Sequence, residues 1–140
     1  MDTQNTLESI INAVADPIFV KDRQHRWVLL NDACCKFIGH SRQTLIGKSD
    51  YDFFPKKEAD IFREKDEAVF KTGEENLNEE SFTDSGGVTH TIVTKKTLFV
   101  DKEKNPFIVG VIHEITDQKQ AHEALVKQAA DLAKSETERE

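Results

Sequence analysis

The chain is short of sulfur and of chain-breaking residues: two cysteines, one methionine, three prolines and six glycines in 140 residues. The cysteines are adjacent, Cys34 and Cys35, and neighbours rarely have the geometry to bridge each other. No disulfide framework is expected, and the reading is of a reduced, cytoplasmic protein. Two thiols also fall short of the four that an iron–sulfur cluster normally takes. No apolar run approaches the roughly 20 residues of a membrane span. The opening MDTQNTLESI lacks the basic and apolar blocks of a secretory leader. Excess positive charge is missing too: 19 Lys and Arg face 26 Asp and Glu, a formal net charge of −7. That balance speaks against nucleic acid or an anionic membrane as partner, since both demand clustered cations. What remains is the composition of one ordinary domain, 37% hydrophobic and 32% charged, with no room for a second catalytic domain.

Apolar spacing divides the chain. Leu7, Ile10, Ile11 and Val14 make one stripe of an amphipathic helix that should stop near Asp16-Pro17. Ile18–Val20 and Trp27–Leu30, split by polar KDRQHR, read as a hairpin. Asn31 and Asp32 are N-cap residues for a helix ending at Gly39, and Arg42–Ile46 is a second short helix before Gly47. KSDYDFFP is too short and mixed for a regular element, and Pro55 then opens a helix from Lys56 to about Lys71. Leu77–Thr83, Val88–Val100 and Pro106–Thr116 read as strands joined by the turns 84–87 and 101–105. After Asp117 the pattern is helical to Glu140. The expected fold class is α+β, a five-stranded antiparallel sheet with flanking helices. The expected divisions are an N-terminal amphipathic helix (1–16), a central domain (17–117) and a C-terminal linker helix (118–140).

Six fragments, taken in order, resemble the PAS (Per-Arnt-Sim) sensor family over about Thr6 to Gln120: DPIFVKD (16–22), NDACCKFIG (31–39), GKSDYDFFP (47–55), DSGGVTH (84–90), TKKTLFVD (94–101) and VGVIHEITD (109–117). The resemblance implies a sheet cradled by helices around a small pocket. It also implies a sensing or relaying role, as in the sensor histidine kinases of two-component systems, rather than catalysis by the domain itself. It places a signal junction at Glu114, Thr116 and Asp117, where the last strand meets the last helix; the family more often has Asp at the first of these positions. The photosensing flavin branch would need a cysteine where this chain has Asp50 and a glutamine where it has Ile112, so cysteinyl-flavin photochemistry is argued against. Haem is not expected, because the Lys56–Lys71 helix has no histidine and no histidine pair has ligand spacing. No metal site and no cofactor are anticipated.

A small-molecule pocket remains. Alternation puts Ile92, Thr94 and Lys96 on one face of their strand, and Ile108, Gly110 and Ile112 on one face of the next. Phe37, Phe54, Phe62 and Phe70 could complete an apolar lining, or these residues could form only the packed core. An inward Lys96 needs an anion. Asp50 and Asp52 are the favoured internal partners, with a ligand carboxylate as the alternative. In the last helix Leu125 and Leu132 are seven residues apart and share a seam with Ala121, Gln128 and Ser135, flanked by charges. This suits a parallel coiled coil and a homodimer through the C-terminal helix, the N-terminal helix, or both; the competing reading is a solvated tail packed on its own sheet. The leading expectation is a dimeric relay module joined to a C-terminal output domain, the chain being a fragment of a larger protein. A receptor for an apolar or carboxylated metabolite is the alternative. A stand-alone small enzyme is least favoured, because Asp50, Asp52, His90 and His113 form no recognisable constellation.

Overall fold

The computed structural model describes the backbone of residues 3–139 and the side chains of residues 6–134. Met1, Asp2 and Glu140 of the expected terminal segments, and the side chain of Ser135 on the expected seam, lie outside the described residues. The elements are α1 (Thr3–Asn12), β1 (Ile18–Lys21), β2 (Trp27–Leu30), α2 (Asp32–Ile38), α3 (Arg42–Leu45), a 3₁₀ turn (Asp50–Asp52), α4 (Lys56–Thr72), β3 (Asn76–Thr83), β4 (Thr89–Val100), β5 (Pro106–Glu114) and α5 (Thr116–Arg139). The five strands form one antiparallel sheet in the order β2-β1-β5-β4-β3.

Period-two alternation decides which side of each strand is inside. Ile92, Thr94 and Lys96 of β4 and Ile108, Gly110 and Ile112 of β5 all point inward. Phe19 and Lys21 of β1, and Glu80 and Phe82 of β3, share that face. Helix α4 covers it with Ala59, Phe62, Asp66 and Val69, spaced three to four residues apart along one stripe. Between helix and sheet lies a core that includes Trp27, Leu30, Cys34, Ile38, Leu45 and Phe54. Glycine at position 110 is a packing requirement: a Cβ there would sit 2.1 Å from the outer end of the ring of Phe19, its cross-strand partner.

Fully buried Asn31 ties the start of the domain together. Its side-chain oxygen accepts from Ile18 N and Cys34 N, both at 2.9 Å, and so caps α2. Its amide nitrogen donates to the carbonyls of Ile11 and Asp16. Helix α1 accordingly ends at Asn12, earlier than the proline alone implies. The α1 stripe does not face this core: Ile11 is buried, whereas Leu7, Ile10 and Val14 are exposed. The stretch expected to be irregular holds the 3₁₀ turn, closed by a reciprocal box between Ser49 and Asp52.

Candidate functional site

Under the sheet is a cavity with an apolar wall and a charged end. Phe19, Trp27, Phe54, Phe62, Phe82 and Ile112 line the wall, with Ile92 beside them. Lys21, Asp50, Glu80, Thr94 and Lys96 form the charged end. The free space is about 30 Å³, enough for two or so waters. The rings occupy the remainder: Phe54 meets Phe62 edge-on at 5.7 Å and Phe82 at 4.9 Å between centroids.

The charged end is a buried network. Lys21 Nζ donates to Asp50 at 2.5 Å and to Asp66 at 2.8 Å. Lys96 Nζ lies 3.1 Å from Asp66 and 3.6 Å from Glu80. Burial disfavours the Lys21 ammonium, but Asp50 and Asp66 outweigh it and hold its pKa above the usual lysine value. Burial likewise works against the Asp66 carboxylate, and Lys21, His25 and Lys96 reverse this, leaving its pKa well below normal. Asp50 is shifted up, because burial is only partly offset by a Lys21 that it shares with Asp66. Glu80 is also shifted up by burial, with Lys96 and Thr94 pulling the other way. Neither Glu80 oxygen has a hydrogen bond of good geometry, and neither does Lys96 Nζ.

Several expected site residues are placed differently. Lys96 is buried, but its carboxylates are Asp66 and Glu80, not Asp50 and Asp52. Asp50 is engaged by Lys21, and exposed Asp52 accepts from Ser49 N at 2.9 Å as the turn's cap. Phe70 does not reach the cavity. Eight residues beyond Phe62 it has rotated by about 80° around the helix, and it packs against His25 and under the Arg23 guanidinium. Phe37 stands one layer out, stacked on Phe82 at 4.7 Å. Phe54, Phe62, Ile92, Thr94, Lys96 and Ile112 do converge on the cavity. Sequence reading missed Lys21, Asp66 and Glu80. The available signal was a charged residue at core spacing: Lys21 two after Phe19, Asp66 four after Phe62, Glu80 two before Phe82.

At the sheet–helix junction His90 bridges two carboxylates, Asp84 through Nε2 at 2.8 Å and Glu114 through Nδ1. A donor is needed at both ring nitrogens, which is the imidazolium. Partial burial opposes that form, but the hydrogen bonds to Asp84 and Glu114 prevail and raise the His90 pKa. The Thr116 hydroxyl donates to Glu114 at 3.1 Å and accepts from Thr91 N at 2.9 Å, so the first residue of α5 is tied to β4. Ile115 N donates to Thr91 O at 2.8 Å, and Lys119 reaches Glu79 of β3 at 2.7 Å. Asp117 is exposed in the first turn of α5. The seam residues Ala121, Leu125, Gln128 and Leu132 are exposed, Leu125 at 64% and Leu132 at 60%.

Cys34 is fully buried and burial pushes its thiol far up; burial also raises Cys35. Neither has the activated environment of a reactive cysteine. No helix among the described residues is long and apolar enough to cross a membrane.

One sheet, helices on its inner face, a cavity between them and a helix leaving the last strand together define a sensor-type α+β domain. The family profile described as PAS fold matches residues 5–138, and the chain belongs to that family. PAS domains are generally sensory rather than catalytic modules. The chain is 37% identical over 121 residues to y4lL, an uncharacterized protein of Sinorhizobium fredii, the match covering 84% of this chain and 15% of that one. Among solved structures it resembles a PAS domain from a two-component sensor histidine kinase (17% identity, TM-score 0.66, 79% of this chain and 95% of that one). It also resembles Vibrio cholera VqmA in a ligand–DNA complex (23% identity, TM-score 0.72, 84% and 53%). At these identities the structural likenesses speak to the fold.

Proposed function

We propose that this PAS domain is the relay of a cytoplasmic signalling protein of the histidine-kinase kind, dimerising and passing a change in its sheet into α5 and onward to an output domain. One contiguous line of contacts carries the reading. Phe82 lines the cavity and lies 6.0 Å from the His90 ring, centroid to centroid. His90 holds Glu114, and Glu114 holds Thr116 at the start of α5. Repacking of the cavity therefore has a mechanical path to the helix, with the named bonds as its joints. The exposed Ala121–Leu125–Gln128–Leu132 seam supports pairing of two α5 helices, because an apolar row at heptad spacing gains stability only when covered.

Sedimentation of the chain over a hundredfold concentration range checks the pairing. A dimer is expected, and Leu125→Glu should shift it to monomer with the fold retained; a monomer at every concentration overturns the dimeric relay. A second reading, a receptor for a small molecule, is favoured by the unbonded polar atoms of Glu80 and Lys96 at the cavity. The VqmA likeness, a protein solved with a ligand, is consistent with it.

A further inference from the structure

The charged end of the cavity has more carboxylates than ammonium groups. Asp50, Asp66 and Glu80 face Lys21 and Lys96, and both lysines make their shortest contacts to the two aspartates. Glu80 is the least well held: its side chain is 1% exposed, its nearest cation is 3.6 Å away, and, with only Thr94 beside it as a hydroxyl, neither oxygen has a hydrogen bond of good geometry. A buried carboxylate in that position is costly until a donor reaches it. We infer that the cavity takes a small flat ligand carrying a cationic nitrogen head, an amine or amidine on a ring, with the head on Glu80 and the ring among Phe54, Phe62 and Phe82. This rests on the receptor reading and reverses its expected polarity, because Lys96 stands between two carboxylates, Asp66 at 3.1 Å and Glu80 at 3.6 Å, and a ligand carboxylate reaching it would meet Glu80 as well.

Access follows from the same residues. Outside the cavity, between α4 and β3, is a groove of about 430 Å³ lined by Lys57, Glu58, Ile61 and Glu79 among others. Phe62 and Glu80 border both spaces. The Phe62 ring is thus the partition, and its rotation joins groove to cavity. Some such movement is required, since about 30 Å³ is far below the ~150 Å³ of an apolar cavity that accommodates benzene. Of the groove's carboxylates, Glu79 is paired with Lys119 at 2.7 Å and Glu58 accepts from Thr83, so Glu80 at the partition is the carboxylate left for an incoming cation.

Three probes with one ring and different heads test this: benzamidine, benzamide and benzoate, titrated calorimetrically into the intact chain and into Phe62→Leu, which thins the partition. Benzamidine is expected to bind at least tenfold more tightly than benzamide, with no benzoate binding, and the same order of heads should hold in Phe62→Leu, where access is easier and one ring contact is lost. Glu80→Gln should erase the preference for benzamidine while unfolding at the temperature of the parent chain. Benzoate binding as well as benzamidine, or the preference surviving Glu80→Gln, overturns the cationic class and leaves the receptor reading standing. If none of the probes binds the parent chain or Phe62→Leu, both fall, and the cavity is a water-containing core. The relay is judged separately, by sedimentation and by exchange in α5.

Discussion

At the scale of single residues the buried charges are unequal. Asp66 serves both lysines, whereas Glu80 has no well-formed bond. Removing one partner of a buried ionic network typically costs about 3–5 kcal/mol, because the remaining charges are stranded. Asp66→Asn should therefore lose about that much in urea denaturation, while Glu80→Gln stays within about 1 kcal/mol of the parent. Equal losses would show that Glu80 is as firmly built in as Asp66. His90 makes stability depend on pH. Its pKa is raised above 6.5, so its contribution is complete below that value and declines as pH climbs through the higher folded-state value. Stability measured between pH 6 and 8 should fall with rising pH, and His90→Gln should flatten that fall; an unchanged slope would remove His90 from the account. Glu114 was marked beforehand as a junction residue, but the acids that hold the two buried lysines were not legible. A charged residue at core spacing looks the same in a sequence whether it turns inward or marks the helix edge, and Lys96 was matched to the acidic loop at Asp50 and Asp52 when its acids come from α4 and β3.

At the scale of elements, the pairing of β1 with β5 depends on a large residue facing an absent one. Phe19 lies over Gly110. Gly110→Ala should cost about 1–3 kcal/mol by overpacking. Phe19→Leu should cost separately, and the double substitution should cost less than the sum, because the smaller side chain relieves the clash. Strict additivity in a thermal or urea series would contradict this. Most element boundaries were readable from the chain, since Asn31, Gly39, Pro55 and Gly73 stop or start helices for local reasons. The neighbours of β1 were not readable. The hairpin partner β2 follows from proximity, but β5 arrives from some ninety residues later, and only the shared inner surface decides that it lies against β1.

At the scale of the molecule, α5 is a long exposed helix held at its base. Thr116 binds β4, Glu114 is gripped by His90, and Lys119 reaches β3. Thr116→Val removes the hydroxyl joint and keeps the shape. It should speed amide exchange in the first turns of α5, at least tenfold, while β4 and β5 exchange as before. Exchange unchanged throughout would mean that the helix does not depend on this joint, and the proposed route from cavity to helix would lose its last step. Most helical stability comes from packing of one face, so in the proposed relay a second copy would cover the seam of α5 beyond its base.

The sequence by itself determined the fold class and the family, which residues share a face on β4 and β5, the helix caps and the heptad spacing along α5. These are local: they depend on periods of 2 and 3.6 residues and on side chains that act within a few positions of themselves. Only the tertiary structure decided which acids neutralise Lys96, that Lys21 and Asp66 belong to the same network, that Glu80 has no hydrogen bond of good geometry, and that Phe70 faces away from the cavity. Each of these is a distance between residues far apart in the chain. Such distances are fixed by how α4 settles on the sheet, where burial makes every charge choose a partner by position in space, not by position in sequence.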